Sequence, residues 1–513
     1  MSLIARKEII KDALVALSLS FLVFIRVWNA LLNPSYNQYF SDTFRNRFDY
    51  LAASINTVAV GLLFFVVGRA IRRRARAKEI NVAYLAMFAA LAPMADFVRR
   101  LGSNRFTSLQ EIGWWQVICF GVLTLSFGFV YRRWVGRWIY VGALALAPFV
   151  TISIIHALYW SISGSSRAGA DREVAFGDSA PSKNRVIWLV FDELDQRVPF
   201  EARPPGLTLP NLDRLRAESL YATSAYPPAG LTFLSIPSLL TGRIVTRAAI
   251  QNDRELQLEY LGAGQKETFP NEHTGFNDLQ AQGRRVAVLG WFFPYARMFP
   301  RSPTCYSRSF PFPQTQGYSG NSLREAVIWQ YLFSFAPPLL RVRFRNVFDN
   351  LHTATLAVIK SPSADLVFAH YSVPHFPGVA EEGETNYRPS FSRDANAYFS
   401  NLSFVDRVIG DVFSAVARSE IAERTTIIVT SDHWWRSAPI YDGRLDYRVP
   451  LLVRTPDRIS SVFFRTVNNI CVMELAKAVI NGTAKGSDGA QKVLERYAAP
   501  RVYRFGGAGQ MLP

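Results

Sequence analysis

The chain has 513 residues, of which 49% are hydrophobic and only 19% charged. Soluble domains carry about 25% charged residues, so this composition excludes a disordered or fibrous chain and argues against a purely soluble one. The net charge is +17, which raises nucleic acid as a partner, but the excess is concentrated in the apolar first third. Residues 1–160 hold 18 Lys/Arg against 7 Asp/Glu, whereas the rest of the chain holds 39 against 33.

Five apolar stretches open the chain, at about 13–32, 51–71, 80–98, 114–131 and 138–160. Each approaches the roughly 20 residues that cross a bilayer as a helix. Buried helices of a large soluble core are the competing reading, and the charges between the stretches argue against it. The N-terminus and the second and fourth connections, including RRRARAK, hold 11 basic residues, and the alternate connections hold 5. That asymmetry predicts a cytoplasmic N-terminus, and five crossings then put the remainder outside. No cleavage site follows the first stretch, so it reads as an anchor. Residues 161–183 are small, polar and non-periodic, and read as a linker. The predicted organisation is a transmembrane domain at 1–160, the linker, and an outer domain at 184–513.

The outer domain alternates apolar strands with helices. Strands are expected at 185–191, 284–290, 364–370, 424–433 and 449–453, and helices at 210–219 and 396–419. That alternation implies an α/β domain with a largely parallel sheet. In such sheets the chemistry gathers at the carboxyl ends of strands. Three expected strand ends carry Asp192-Glu193, His370 and Asp432-His433. Two carboxylates and an imidazole suit a divalent metal such as Zn²⁺ or Mn²⁺. A metal beside a hydroxyl makes it a nucleophile at neutral pH. Four hydroxyls in YPPAGLTFLSIPSLLTGR compete for that place: Thr232, Ser235, Ser238 and Thr241. Each is otherwise a turn or cap residue. Trp291 and Arg297 follow another strand end, and Arg297 is a candidate phosphate clamp. Surface solvation is the ordinary reading for that Arg. For His370 the bland reading is a satisfied core histidine, and His273 reads as a loop residue. Three cysteines exclude a disulfide scaffold. Cys119 lies in an apolar run, and Cys305 and Cys471 can pair or stay free.

Four motifs, in order, resemble the alkaline phosphatase superfamily, which includes sulfatases, phosphoethanolamine transferases and lipoteichoic acid synthases. VIWLVFDE (186–193) resembles the first strand with its metal-binding acid, here Asp192. TFLSIP (232–237) resembles the T-x-x-S-x-P stretch of the phosphoethanolamine transferases, whose Thr is the nucleophile. LVFAHYSVPHFP (366–377) resembles their His-containing segment, and VTSDH (429–433) their metal motif. A count of nine residues back from Thr241, as in sulfatases, also reaches Thr232. The sulfatase Pro and Arg that should follow are Leu234 and Ile236, and Thr cannot become formylglycine, so an ordinary sulfatase is disfavoured.

The resemblance implies an α/β/α sandwich and one tightly bound divalent metal held by Asp192, Thr232, Asp432 and His433, with Glu193 as substitute for Asp192. His375, between two prolines, would steady phosphoryl oxygens or protonate the leaving group, with His370 as a second catalytic candidate. Trp291 and Arg297 would contact substrate. Trp434-Trp435 replaces the usual Gly, and Tyr447 stands where many relatives have a His, which puts a second metal site in doubt. The implied protein is a multi-pass enzyme of the bacterial inner membrane with a periplasmic catalytic domain. It would move a phosphoethanolamine- or phosphoglycerol-type group from a membrane lipid donor to an envelope glycan or lipid through a phospho-threonine. The alternatives are a periplasmic phosphodiesterase or phosphatase, a sulfatase-like hydrolase, and a glycan-binding pseudoenzyme. Nucleic acid has no motif behind it.

Overall fold

The computed structural model describes residues 3–32, 39–40, 45–74, 130–164, 182–270, 274–300, 304–308, 318–335, 341–381, 383–385 and 394–499, with isolated positions between and after them. The expected spans at 80–98 and 114–131 fall almost wholly outside the described residues, as do His273, Cys119 and most of the linker.

The chain divides into two compact units, 1–168 with 311–340, and 169–310 with 341–513. The second unit is discontinuous in sequence, because 311–340 groups with the first. The helix Leu323–Phe335 belongs to the first unit, where it packs on the helix Arg47–Arg74. Among the described residues two helices, Arg47–Ile71 and Arg133–Ser163, are long and apolar enough to cross a membrane. The first expected span is instead a bent pair, Arg6–Val23 and Ile25–Leu32, at 79°. The turn tightens at Phe24, whose N–H lies 3.1 Å from the Phe21 carbonyl and 3.4 Å from that of Ser20.

The second unit is built on an eight-stranded sheet. Its strands in chain order are β1 (Arg185–Asp192), β2 (Leu220–Ala222), β3 (Val286–Trp291), β4 (Thr304–Arg308), β5 (Leu366–Pro374), β6 (Thr425–Ser431), β7 (Leu451–Arg454) and β8 (Ser461–Phe463). The spatial order is β8-β2-β7-β6-β1-β5-β3-β4. Only β7 runs antiparallel to its neighbours. β1, β3, β5 and β6 are buried throughout, which is why they read as unbroken Val, Ile, Leu and Phe rather than as alternating strands. The helices Arg341–Lys360, Ala395–Ala417 and Cys471–Ile480 pack against this core. Cys305 and Cys471 are both buried and do not pair with each other.

Arg185 begins β1 fully buried. Its Nη1 donates to the carbonyls of Ile359 (2.8 Å) and Ser361 (2.9 Å), at the end of the helix Arg341–Lys360, and its Nε to Thr425 Oγ1 (3.2 Å). Burial lowers the guanidinium to about 10. A cation at a helix C-terminus satisfies carbonyls that have no partner within the helix. Arg185→Met keeps the apolar stem and strands those acceptors. It is expected to cost about 2–4 kcal/mol, read as a lower denaturation midpoint by fluorescence of the buried Trp188.

Candidate active site

The neighbours β6, β1, β5 and β3 all run the same way, so their carboxyl ends meet along one edge. β1 and β6 pair with Phe191 opposite Ser431, which places Asp192 level with Asp432. The Ser431 hydroxyl ties these ends together. It accepts from the Leu194 N–H (2.9 Å) and lies within donating distance of the Phe191 and His433 carbonyls (2.6 and 2.7 Å).

At this edge one ligand atom from each of Asp192, Asp432 and His433 lies within 4.8 Å of the others, all three residues buried. It is the one such group among the described residues. His433 Nδ1 lies 3.0 Å from the Trp434 carbonyl. A carbonyl only accepts, so Nδ1 carries the proton and Nε2 presents a bare lone pair. That lone pair lies 3.4 Å from Asp192 Oδ1 and 3.4 Å from Asp432 Oδ2. Both carboxylate oxygens are buried without a hydrogen-bond donor. Burial first, then the charge of Asp432, raises the Asp192 carboxyl well above its usual range. Burial likewise raises Asp432, to about 7. His433 is pushed well down by burial and then by Arg436. Three electron-pair donors converging in a buried pocket fit a divalent cation, whose charge would replace the proton that the raised carboxyls otherwise favour.

Thr232 opens the helix Thr232–Thr241. Its Oγ1 is 3.3 Å from Asp192 Oδ2 and 3.3 Å from His433 Nε2. The competing hydroxyls point elsewhere. Ser235 donates to the Ala229 carbonyl (2.8 Å), Ser238 to Leu234 (2.7 Å) and Thr241 to Pro237 (2.8 Å). Thr232 also sits at a helix N-terminus, where leading N–H groups favour an anion.

Glu193 does not substitute for Asp192. Its φ is +64°, a left-handed conformation that costs a non-glycine residue about 1–2 kcal/mol. Neighbours hold it there. Its N–H donates to Asp432 Oδ1 (3.3 Å), and its carbonyl accepts from the Tyr398 hydroxyl (2.9 Å). Tyr398 in turn stacks on Trp435, with centroids 3.8 Å apart. The Glu193 carboxylate accepts from Arg436 Nε at 2.7 Å. Burial pushes that carboxyl up, but His375 and Arg436 outweigh it, and its pKa falls to about 2.

Arg436 was not singled out by the sequence. Its Nη2 lies 3.3 Å from His375 Nε2, which must accept. His375 Nδ1 hydrogen-bonds the Phe376 carbonyl. The ring is held by the Phe376 carbonyl on one side and faces the Arg436 guanidinium on the other. Asn401 fixes the loop, donating to the carbonyls of Pro374 (3.3 Å), His375 (2.9 Å) and Pro377 (3.0 Å). Trp291 forms a wall beside it, 5.9 Å between ring centroids from His375.

Two expected residues are not brought to the cluster. His370 Nδ1 hydrogen-bonds the Tyr295 hydroxyl at 3.0 Å, inside the core. Burial lowers its pKa to about 3. Arg297 donates through Nε to the Asp253 carbonyl at 3.0 Å, because the short helix Tyr295–Met298 turns it away. Trp434 covers Gly230, where an added Cβ would lie 2.3 Å from the indole. It packs on Tyr447 (4.8 Å) and Phe505 (4.6 Å), so the positions of the missing Gly and His are joined by aromatic contact.

A mainly parallel α/β domain with an Asp-Asp-His cluster and a hydroxyl at its strand ends is that of the alkaline phosphatase superfamily. The sulfatase family matches residues 185–480, more than half of the chain, and the chain belongs to it. No curated protein matches. Among solved structures, a sulfatase from Pseudoalteromonas sp. is 15% identical with a TM-score of 0.44, covering 64% of this chain and 76% of its own. The phosphonate monoester hydrolase of Agrobacterium radiobacter is 12% identical at TM-score 0.40, covering 58% and 74%. A protein of the alkaline phosphatase superfamily from Vibrio parahaemolyticus is 15% identical at TM-score 0.38, covering 61% and 73%.

Proposed function

We propose that this chain is a membrane-anchored, metal-dependent transferase that moves a phosphoethanolamine- or phosphoglycerol-type group from a lipid donor to an envelope glycan or lipid. The observation that carries the reading is the selection of Thr232. Of four candidate hydroxyls it alone faces the acidic cluster. A Thr there disfavours formylglycine chemistry and suits direct attack on phosphorus.

Asp192, Asp432 and His433 would hold one divalent ion, Zn²⁺ or Mn²⁺, with Thr232 completing the set. Bound there, it would lower the pKa of the hydroxyl and offset charge on the ester oxygens. Thr232 donates toward Asp192 Oδ2, so its proton has an acceptor as the new Oγ–P bond forms. The P–O bond to the lipid breaks, and diacylglycerol leaves after taking a proton. An acceptor hydroxyl then attacks the phospho-threonine, freeing Thr232. Arg436, held by Glu193 and His375, offers its remaining N–H groups to the ester oxygens. The apolar helices suit a lipid donor and a periplasmic catalytic domain on the inner membrane.

Arg436→Ala removes one charge-assisted interaction and is expected to lower kcat/KM about tenfold to a hundredfold, with metal content unchanged. An unaltered kcat/KM would remove Arg436 from the site. The reading itself is tested by following phosphatidylethanolamine or phosphatidylglycerol carrying a labelled headgroup. Diacylglycerol release with label appearing on an envelope acceptor supports transfer. Label appearing only in water-soluble phosphoester makes the protein a hydrolase.

A further inference from the structure

The helix Arg47–Arg74 and the residue before it hold buried polar side chains that a membrane span would not carry without purpose. Asn46, just before it, and Asp49 and Asn56 within it are 6%, 4% and 1% exposed. Their partners come from the far segment 318–335. The Ser319 hydroxyl donates to Asp49 Oδ2 (2.6 Å), and the Gly320 N–H to Asp49 Oδ1 (3.1 Å). Asn46 Nδ2 donates to the Gly320 carbonyl (2.7 Å). Gln330 Nε2 donates to the Asp49 carbonyl (2.9 Å), and Asn56 Nδ2 to Gln330 Oε1 (2.9 Å). Arg26 lies over the Phe333 ring at 4.1 Å.

Asn56 is about 14 Å along the helix from Arg47, at 1.5 Å per residue. A hydrocarbon layer is about 30 Å thick. The helix Leu323–Phe335 thus crosses the span within the half of the bilayer where the span begins. Its composition follows. Charge is confined to Arg324 and Glu325 in the first turn, and AVIWQYLFSF after them has none. Its outward side shows Ile328 at 45% and Phe335 at 48% exposure. The neighbouring span shows Ile55 at 41%, Val58 at 50%, Leu62 at 62% and Leu63 at 56%. Interhelical hydrogen bonds, together with close packing, hold helices together where apolar surface gives no preference over lipid.

We propose that residues 318–335 form a membrane-embedded arm, pinned to the first span by Asp49, Asn46 and the Asn56–Gln330 pair, with Ile328 and Phe335 against lipid acyl chains. The arm is carried by the stretch of chain between β4 and the helix Arg341–Lys360. A segment encoded within the catalytic half is therefore part of the membrane anchor, whatever reaction the site performs.

The test is a nitroxide label on Ile328→Cys in the full chain, reconstituted in phosphatidylcholine–phosphatidylglycerol vesicles. Cys119→Ser removes one native thiol, and Cys305 and Cys471 are fully buried. The unsubstituted background, treated the same way, gives the blank. Collision with oxygen is expected to exceed collision with a water-soluble nickel chelate several-fold, as at Leu62→Cys on the span. Phe335→Cys gives a second reading should Ile328→Cys fail to fold. Dominant nickel collision would place the helix in water, and low collision with both would mean that protein covers it. Either result overturns the proposal.

Discussion

Thr232→Ala is expected to abolish turnover, by at least about a thousandfold, as loss of a catalytic nucleophile does. The substitution removes a hydroxyl and a methyl at the start of a helix, so the stability cost is expected near 1 kcal/mol. Ser235→Ala is the matched control. Its hydroxyl donates to the Ala229 carbonyl in the core, so the variant should lose about 1 kcal/mol of stability and keep its activity. Thr232→Ser should retain part of the rate, because the hydroxyl survives while the methyl that restricts χ1 is lost. Steady-state kinetics beside thermal unfolding read both effects. A Thr232→Ala variant that is unstable as well as inactive would leave Thr232→Ser to separate folding from chemistry.

The second large effect is metal loss. Asp432→Ala and His433→Ala are each expected to drop bound metal from about one ion per chain to less than a tenth of that, by elemental analysis. The fold should persist because both residues follow β6 rather than forming its interior. The variants differ in their side effects. Asp432 Oδ1 also accepts from the N–H groups of Glu193 and His433, so its removal should loosen the left-handed turn at Glu193. His433 Nε2 has the Thr232 hydroxyl 3.3 Å away, whose proton goes to Asp192, so removal of the ring should cost less stability. Full metal content in both variants would refute the ligand set.

The parts of the site visible in the sequence are those in which one local pattern carries both fold and chemistry. A run of buried β-branched residues ending in Asp192, or in Ser431-Asp432-His433, marks a strand and its functional end together. Thr232 could be chosen because two separate spacings reach it. Arg436 had no such mark. It lies three residues past His433 in a loop, and its meaning comes from Glu193, 243 positions earlier in the chain. Glu193 misled for the same reason. Adjacency to Asp192 suggested a ligand, whereas a left-handed backbone turns its carboxylate to Arg436. Arg297 and His370 look functional by their place near strand ends. The direction of each side chain, toward Asp253 and Tyr295, is a tertiary fact. The arm at 318–335 was hidden likewise, since its partners Asn46, Asp49 and Asn56 lie some 270 positions away.

The central claim is covalent chemistry at Thr232, and peptide mass mapping after incubation with membrane lipids tests it most directly. The wild-type chain is expected to carry an added phospho group on the peptide containing Thr232, lost in Thr232→Ala and discharged by a competent acceptor. An adduct on Ser235 or Ser238, or an unlabelled wild type beside a fully active Thr232→Ala, would contradict it.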